Sequence, residues 1–193
     1  HVPALVRRSS NLDLLDSELL QGGSLELVYG DLCDAESIDH AVSGVQHVYH
    51  VAALYRTAKH SDDAYWDVNV EGTRRVLEAA KRHRVQRILH CSTIGVHGGV
   101  NEIPATEESE FAPSDVYQTT KLEGERLAQA AIERGEPVTI ARPAGIYGPG
   151  DTRFLKLFSM IHRQRFVMFG SGKTLMHMVF LDDLVRGMIQ AVE

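Results

Sequence analysis

Val45-Gln46-His47-Val48-Tyr49-His50-Val51, then residues 64–82, then Val85-Gln86-Arg87-Ile88-Leu89: this succession decides the fold. The first segment is short, apolar and rich in β-branched residues, which suits a buried strand. In 64–82, Val68, Val76, Leu77 and Ala80 are separated by threes, fours and eights and so share one helix face. The third segment is again a strand, and it runs on into Cys91-Ser92-Thr93. Strand, long helix and strand in this order build a parallel sheet with helices packed on its faces.

The same alternation extends in both directions. Toward the N-terminus, strands are expected over 2–6 and 25–29, with a helical run around 12–20 broken by Gly22-Gly23. Asp34 is placed to cap a short helix over 34–42. Toward the C-terminus, a loop rich in Gly, Pro and acidic residues (95–113) leads to a helix over 115–134, with Gly135 as its stop. A strand over 138–141 ends at Arg142-Pro143. A turn-rich stretch (145–151), a helix over 154–163 and a helical pattern over 182–193 follow. The expected class is α/β, a doubly wound parallel sheet of the Rossmann-like kind. Ligands of such sheets bind beyond the carboxyl ends of the strands, so the residues just after each strand matter most.

Composition narrows the function. The chain has 193 residues, 44% hydrophobic and 24% charged, enough for one core without staples. A net charge of −6 speaks against nucleic acid or an anionic membrane as partner, and the apolar runs are far too short to span a bilayer. The two cysteines, Cys33 and Cys91, form neither a disulfide framework nor a metal motif, which fits a reducing, cytoplasmic setting. The ten histidines are scattered without ligand spacing, so no metal site is expected.

Tyr117 and Lys121 are four residues apart on one helix, so phenol and ammonium can reach one ligand. A phenol titrates near ~10, too high for a base at neutral pH, and a fixed cation beside it favours the phenolate. Thr93, or Ser92 beside it, closes the preceding strand and is placed to hydrogen-bond a substrate oxygen. Together the three form a proton-transfer device for a carbinol or a carbonyl.

These segments, in order, resemble the extended short-chain dehydrogenases/reductases of the NAD(P)-dependent epimerase/dehydratase type. The resemblance rests on Cys91-Ser92-Thr93-Ile94-Gly95-Val96-His97-Gly98, on Tyr117-Gln118-Thr119-Thr120-Lys121 and on Arg142-Pro143-Ala144-Gly145-Ile146-Tyr147-Gly148-Pro149-Gly150. Gly30-Asp31-Leu32, His50-Val51-Ala52-Ala53 and Asn69-Val70-Glu71-Gly72-Thr73 add to it. It implies Tyr117 as acid/base, Lys121 on the nicotinamide ribose, where it also lowers the tyrosine pKa, and Thr93 on the substrate oxygen. It further implies cofactor contacts at Asp31, Leu32, Ala52, Ala53, Asn69, Ser92, Pro143 and Ile146. By residue type alone, Asp31 also reads as a turn or cap, Ala52 and Ala53 as packing, Asn69 as a backbone tether and Pro143 as a strand end. Arg7 and Arg8 follow the first strand, where a basic residue accommodates the 2′-phosphate of NADP and an acidic one would bond the ribose of NAD. NADP is therefore the expected cofactor, with NAD and a solvated loop arginine as the other readings.

The resemblance implies an NAD(P)-dependent epimerase or oxidoreductase acting on a hydroxyl or keto carbon of a nucleotide-sugar-like substrate. It also implies a homodimer through helices 64–82 and 115–134. Thr93 is followed by Ile94-Gly95 where dehydratases carry Asp-Glu, so dehydration is not expected. Gly145 stands where many epimerases have Asn, a form shared with dihydroflavonol-reductase-like and hydroxysteroid-dehydrogenase-like carbonyl reductases. A non-catalytic dinucleotide-binding protein is the reading from another class. The family's Gly-x-x-Gly-x-x-Gly turn and its second domain have no counterpart in these residues. The expectation is a Rossmann-like domain truncated at both ends, incomplete over 1–193, with the substrate-binding region starting after about residue 145.

Overall fold

The computed structural model describes residues 1–15, 17–56, 59–100, 103–168, 170–173 and 175–193. Asp16, within the helix expected over 12–20, and Asn101 and Glu102, within the loop expected over 95–113, lie outside the described residues.

Strand β1 (Val2–Val6) pairs with β2 (Leu25–Tyr29) in parallel, across the short helix α1 (Ser17–Gln21). Helix α2 (Ala35–Val42) follows, its first turn capped by the Asp34 carboxylate on the Glu36 amide at 3.1 Å. A three-stranded parallel group comes next, in the order β3 (His47–His50), β4 (Arg87–Cys91), β5 (Val138–Ala141). A second parallel pair joins β6 (Gly145–Tyr147) to β7 (Met178–Phe180), with α6 (Leu155–His162) between them and α7 (Leu181–Gln190) after. No described helix is long and apolar enough to cross a membrane.

Three expectations need correction here, the first being the helix around 12–20, which is only Ser17–Gln21. The stretch 145–151 begins as a strand, because Gly145–Tyr147 finds its partner far along the chain. The helix expected over 64–82 starts at α3 (Asp62–Trp66) and passes through a π-helical turn, Asp67–Glu71, before α4 (Gly72–Arg82). The apolar spacing is almost unchanged by such a turn, and π-turns concentrate at functional sites.

Adjacent residues of β4 face opposite sides. Ile88 joins a core with Val76, Leu77, Ala79 and Ala80 of α4 and with Ala128 and Ala131 of α5 (Val116–Glu133). Leu89 and Cys91 pack against Met188 and Val192 on the other side. This alternation is what gives a parallel sheet helices on both faces.

The register brings the carboxyl ends of the central strands level: His50 lies opposite His90, and Cys91 opposite Ala141. Ser92 and Ile94 extend the ladder, their amides reaching the carbonyls of Ala141 at 2.7 Å and Pro143 at 3.1 Å. Helix α5 starts above this edge. Its Asp115 carboxylate accepts from the Gln118 amide at 2.7 Å, while the Gln118 side chain accepts from the Ser114 amide at 2.7 Å, a reciprocal cap. Gly124 lets α5 approach the π-turn closely: a Cβ there would lie 2.6 Å from the Asn69 carbonyl oxygen.

Candidate active site

The end of β4 is where the Tyr and the Lys of α5 converge. Lys121 is buried (3% exposed), and its Nζ donates to the Cys91 carbonyl at 2.6 Å. Burial lowers its pKa from the ordinary ammonium value, opposed by the nearby Cys91 and Glu125. Tyr117 is half-buried, its ring edge-on to Tyr55 (centroids 5.0 Å) with the Arg56 guanidinium 5.3 Å from its centroid. Burial pushes the phenol up to about 12, with Tyr55 and Cys91 adding to the rise and Arg56 opposing it. The expected lowering of the phenol's pKa by Lys121 is not among the largest influences on Tyr117. The Lys121 ammonium donates to the Cys91 carbonyl, and the charge of Arg56 opposes the rise at Tyr117.

The hydroxyls of β4's extension behave differently from each other. Thr93 Oγ1 accepts from the Gly95 amide at 3.1 Å and starts the short helical turn Ile94–His97. A Cβ on Gly95 would lie 3.3 Å from that oxygen and 3.2 Å from Nε2 of the Gln118 side chain, so Thr93 stands near the first turn of α5. Ser92 is buried, and its Oγ has no hydrogen-bond partner among the described residues. A buried hydroxyl left unpaired is costly, so it marks a place for a polar group.

The remaining candidates spread along the strand ends. Asp31 Oδ1 accepts from the Cys33 amide at 3.0 Å, a tight turn after β2. Leu32 turns its side chain into the core, and its carbonyl accepts from Arg75 at 2.9 Å, so a ligand there would meet neighbouring atoms rather than the leucyl side chain. Ala52 is exposed and Ala53 half-buried. Pro143 offers its carbonyl to Ile94, and Ile146 sits within β6 with its carbonyl held by Arg153 at 2.8 Å. Arg7 and Arg8 are exposed just after β1, with Arg8 stacked 5.1 Å over the Tyr29 ring.

Asn69 takes the role of a tether. Its Oδ1 accepts from the Leu54 amide (2.7 Å), and its Nδ2 donates to the Leu54 carbonyl (3.2 Å) and to Thr120 Oγ1 (3.1 Å). It ties the segment after β3 to α5. Beneath it, the Thr73 hydroxyl donates to the Asn69 carbonyl at 2.7 Å and so accepts from His50 Nε2 at 3.0 Å, which fixes the tautomer of that ring. The His50 and His90 ring centroids lie 5.5 Å apart, with the ring planes tilted by 44°. Burial pushes His50 down to about 3 and His90 well below the usual imidazole range, the charge of Lys121 adding to both, so both rings are neutral at pH 7.

Several side chains around the site carry no sequence signal of their own. Glu125 is fully buried and holds Arg142 at 2.6 Å. Arg142 also donates to His97 Nε2 (3.2 Å) and to the Glu107 carbonyl (2.8 Å), strapping the loop after β4 against α5. Tyr55, Arg56 and Arg153 line the approach to Tyr117; Arg153 stacks 5.6 Å from the Tyr55 centroid. Arg142 stands in a quoted motif without a role of its own. Tyr55 and Arg56 follow Ala52-Ala53, and inspecting every residue beyond a strand end would have found them. Among the described residues no group of three or more His, Cys, Asp or Glu could hold a metal ion.

Known proteins resemble this chain in sequence and fold. The chain is 38% identical over 156 residues to the sterol demethylase protein B of Methylococcus capsulatus, covering 79% of this chain and 46% of that protein. It is 33% identical over 172 residues to the human sterol-4-alpha-carboxylate 3-dehydrogenase, decarboxylating, covering 85% and 46%. Among solved structures, DesIV of Streptomyces venezuelae, a dTDP-glucose 4,6-dehydratase with NAD and TYD bound, superposes with a TM-score of 0.79 at 26% identity, covering 98% of this chain and 62% of that one. The chain thus spans about half the length of the curated relatives it matches. The description that matches residues 1–193 is the NAD dependent epimerase/dehydratase family, and the chain belongs to that family.

Proposed function

We propose that the protein is an NAD(P)-dependent oxidoreductase or epimerase that acts on a hydroxyl or keto carbon, with Tyr117 as its proton-transfer residue. One observation carries the reading: Tyr117 and Lys121 both lie against Cys91 at the end of β4, beside a buried Ser92 hydroxyl with no partner among the described residues. A dinucleotide fits this place. Lys121 has an ammonium with three donors and one carbonyl acceptor, Ser92 has an Oγ without a partner among the described residues, and Ala52 presents a small side chain at the same strand edge. A nicotinamide dinucleotide bound there supplies hydride acceptance or donation at C4.

The chain's own residues then manage the proton and the orientation. With a pKa pushed up to about 12, Tyr117 is a neutral phenol at pH 7 and is ready to donate to a carbonyl oxygen. In the opposite direction it must become a phenolate before it can accept the carbinol proton. An ammonium at Lys121, turned from Cys91 toward the ribose, would favour that charge. Thr93 would hold the substrate oxygen from the strand side, and Pro143 and Ile146 would flank the nicotinamide. Asp31 would meet the adenine, beside the backbone of Leu32, Ala52 and Ala53. Asn69 would act through Leu54, by holding the turn.

Residues up to about 145 would form the dinucleotide-binding part, and the β6–β7 pair would begin the substrate region. Arg7 and Arg8 favour NADP as cofactor, through the 2′-phosphate. A nucleotide-sugar-like substrate is one reading. Two relatives named for sterol chemistry favour a second, a ring alcohol of the hydroxysteroid kind, and Gly145 agrees with it. Two copies would pair through helices 64–82 and 115–134, which sedimentation equilibrium tests.

The deciding experiment is fluorescence titration of the protein, with its natural flanking sequence, against NADPH and NADH. Tyr117→Phe and Arg8→Ala serve as comparisons. Tight NADPH binding, retained in Tyr117→Phe and weakened in Arg8→Ala, supports the reading. No binding of either dinucleotide overturns it.

A further inference from the structure

Arg56 is far from Tyr117 in sequence, yet it lies over the phenol with its guanidinium carbon 5.3 Å from the ring centroid. It is not a loose surface cation. Its Nε donates to Asp115 Oδ2 at 2.7 Å. The other oxygen of the same carboxylate caps α5 through the Gln118 amide at 2.7 Å. Tyr117 is the second residue of that helix. One carboxylate therefore fixes both the start of the helix that carries the phenol and the cation that covers it. The segment bearing Arg56 is held from behind as well, since Asn69 grips both backbone groups of Leu54.

The other groups around the phenol do not duplicate this cation. From the segment after β3 comes Tyr55, edge-on at 5.0 Å, and from β4 comes the Cys91 thiol. From α5 itself come Asp115 and Lys121, the latter with its Nζ on the Cys91 carbonyl. From beyond β6 comes Arg153, which stacks on Tyr55 rather than on Tyr117.

We propose that Arg56, anchored by Asp115, is a positioning residue for Tyr117: it sets the orientation of the phenol and favours its ionised form. A guanidinium over an aromatic face is attracted by the ring quadrupole, and more strongly once the ring carries a negative charge. The inference rests on Tyr117 being the proton-transfer group, and it adds a cation contributed from a separate strand end. Burial pushes the Tyr117 phenol up, and Arg56 is the named neighbour that opposes this rise.

The test replaces Tyr117 by 3,5-difluorotyrosine, whose phenol titrates at lower pH, in the protein with its natural flanking sequence. Fluorine NMR then follows its ionisation in the wild-type background and in Arg56→Met, Arg56→Lys and Asp115→Asn. Loss of the cation raises the proton affinity, so Arg56→Met moves the midpoint upward by about one pH unit, a tenfold change. Arg56→Lys recovers at least half of that displacement, a rescue that a purely structural role would not produce. Asp115→Asn keeps a capping side chain but releases Arg56, and the fluorine resonance broadens as the ring loses its fixed neighbour. A midpoint in Arg56→Met within about 0.2 units of wild type overturns the proposal, as does an upward displacement that Arg56→Lys does not reduce. Titration of the same variants with NADPH and NADH separates the two readings. Absent dinucleotide binding defeats the proposed function while leaving the Arg56 effect on the phenol measurable.

Discussion

Gly124→Ala should destabilise the protein, although the same change in most helices would stabilise it. An alanine in a helix interior is favoured over glycine by about 1 kcal/mol. At Gly124, however, the new methyl would lie 2.6 Å from the Asn69 carbonyl oxygen and 3.2 Å from Thr73 Oγ1. Neither can turn aside. The first is backbone in the π-turn, and the second is held between His50 and the Asn69 carbonyl. Overpacking of this kind costs about 1–3 kcal/mol, and here the backbone obstacle puts it toward the upper end. The expected net loss is about 1–2 kcal/mol, or a fall in Tm of about 3–6 °C for a chain of this size. Gly187 in α7 provides the control, because a Cβ there meets nothing within 4 Å. Gly187→Ala should gain up to about 1 kcal/mol. Urea unfolding of the two variants side by side measures the difference. If Gly124→Ala proves as stable as Gly187→Ala, the close approach of α5 to the π-turn is not what the geometry says.

Arg142→Met leaves the fully buried Glu125 carboxylate without its cation and should cost about 3–5 kcal/mol, whereas Arg142→Met combined with Glu125→Gln should cost less, which a double-mutant cycle in urea reads directly. His50 and His90 have folded pKa values depressed below the imidazole value of ~6.5, so the unfolded chain binds more protons as pH falls. Their stabilising effect is whole above pH ~6.5 and drains away between there and about 3, the value His50 reaches, at up to ~1.4 kcal/mol per pH unit for each ring. Stability curves from pH 7 to 4 should flatten in the His50→Gln, His90→Gln double variant. Ser92→Ala removes a hydroxyl that has no partner in the described structure, so unfolding should change by less than ~1 kcal/mol while NADPH affinity falls several-fold in fluorescence titration.

The sequence is a good guide wherever local pattern and turn chemistry agree. Strands 2–6, 25–29 and 138–141 emerge with the expected bounds, and Asp34 caps the helix that its position implies. The strand Gly145–Tyr147 was hidden because three residues beside Gly148-Pro149-Gly150 look like a turn until Met178–Phe180 is known to lie alongside. The helix expected around 12–20 shrinks to Ser17–Gln21, since its apolar residues have little to pack against: Leu14 and Leu19 are exposed. At the site, the spacing of Tyr117 and Lys121 was legible, but their electrostatics were not. Nothing in a one-dimensional pattern states that the Cys91 carbonyl captures the ammonium, or that a guanidinium from beyond β3 covers the phenol. Leu32 illustrates the same limit, because motif position and side-chain direction are separate facts.

The doubly engaged carboxylate of Asp115 also restricts how this family member can change over evolutionary time. A salt bridge between two surface residues can normally be inverted by exchanging the charges. Here it cannot, because an arginine at position 115 would present donors to an amide that is itself a donor, and α5 would lose its cap. Asparagine preserves the helix start but abandons Arg56, and glutamate is a poorer cap. Drift at position 56 can therefore proceed alone, whereas drift at position 115 is confined to aspartate as long as Arg56 is kept. Among descendants of this sequence the dependence should run one way: Arg56 with Asp115, but Asp115 with or without Arg56.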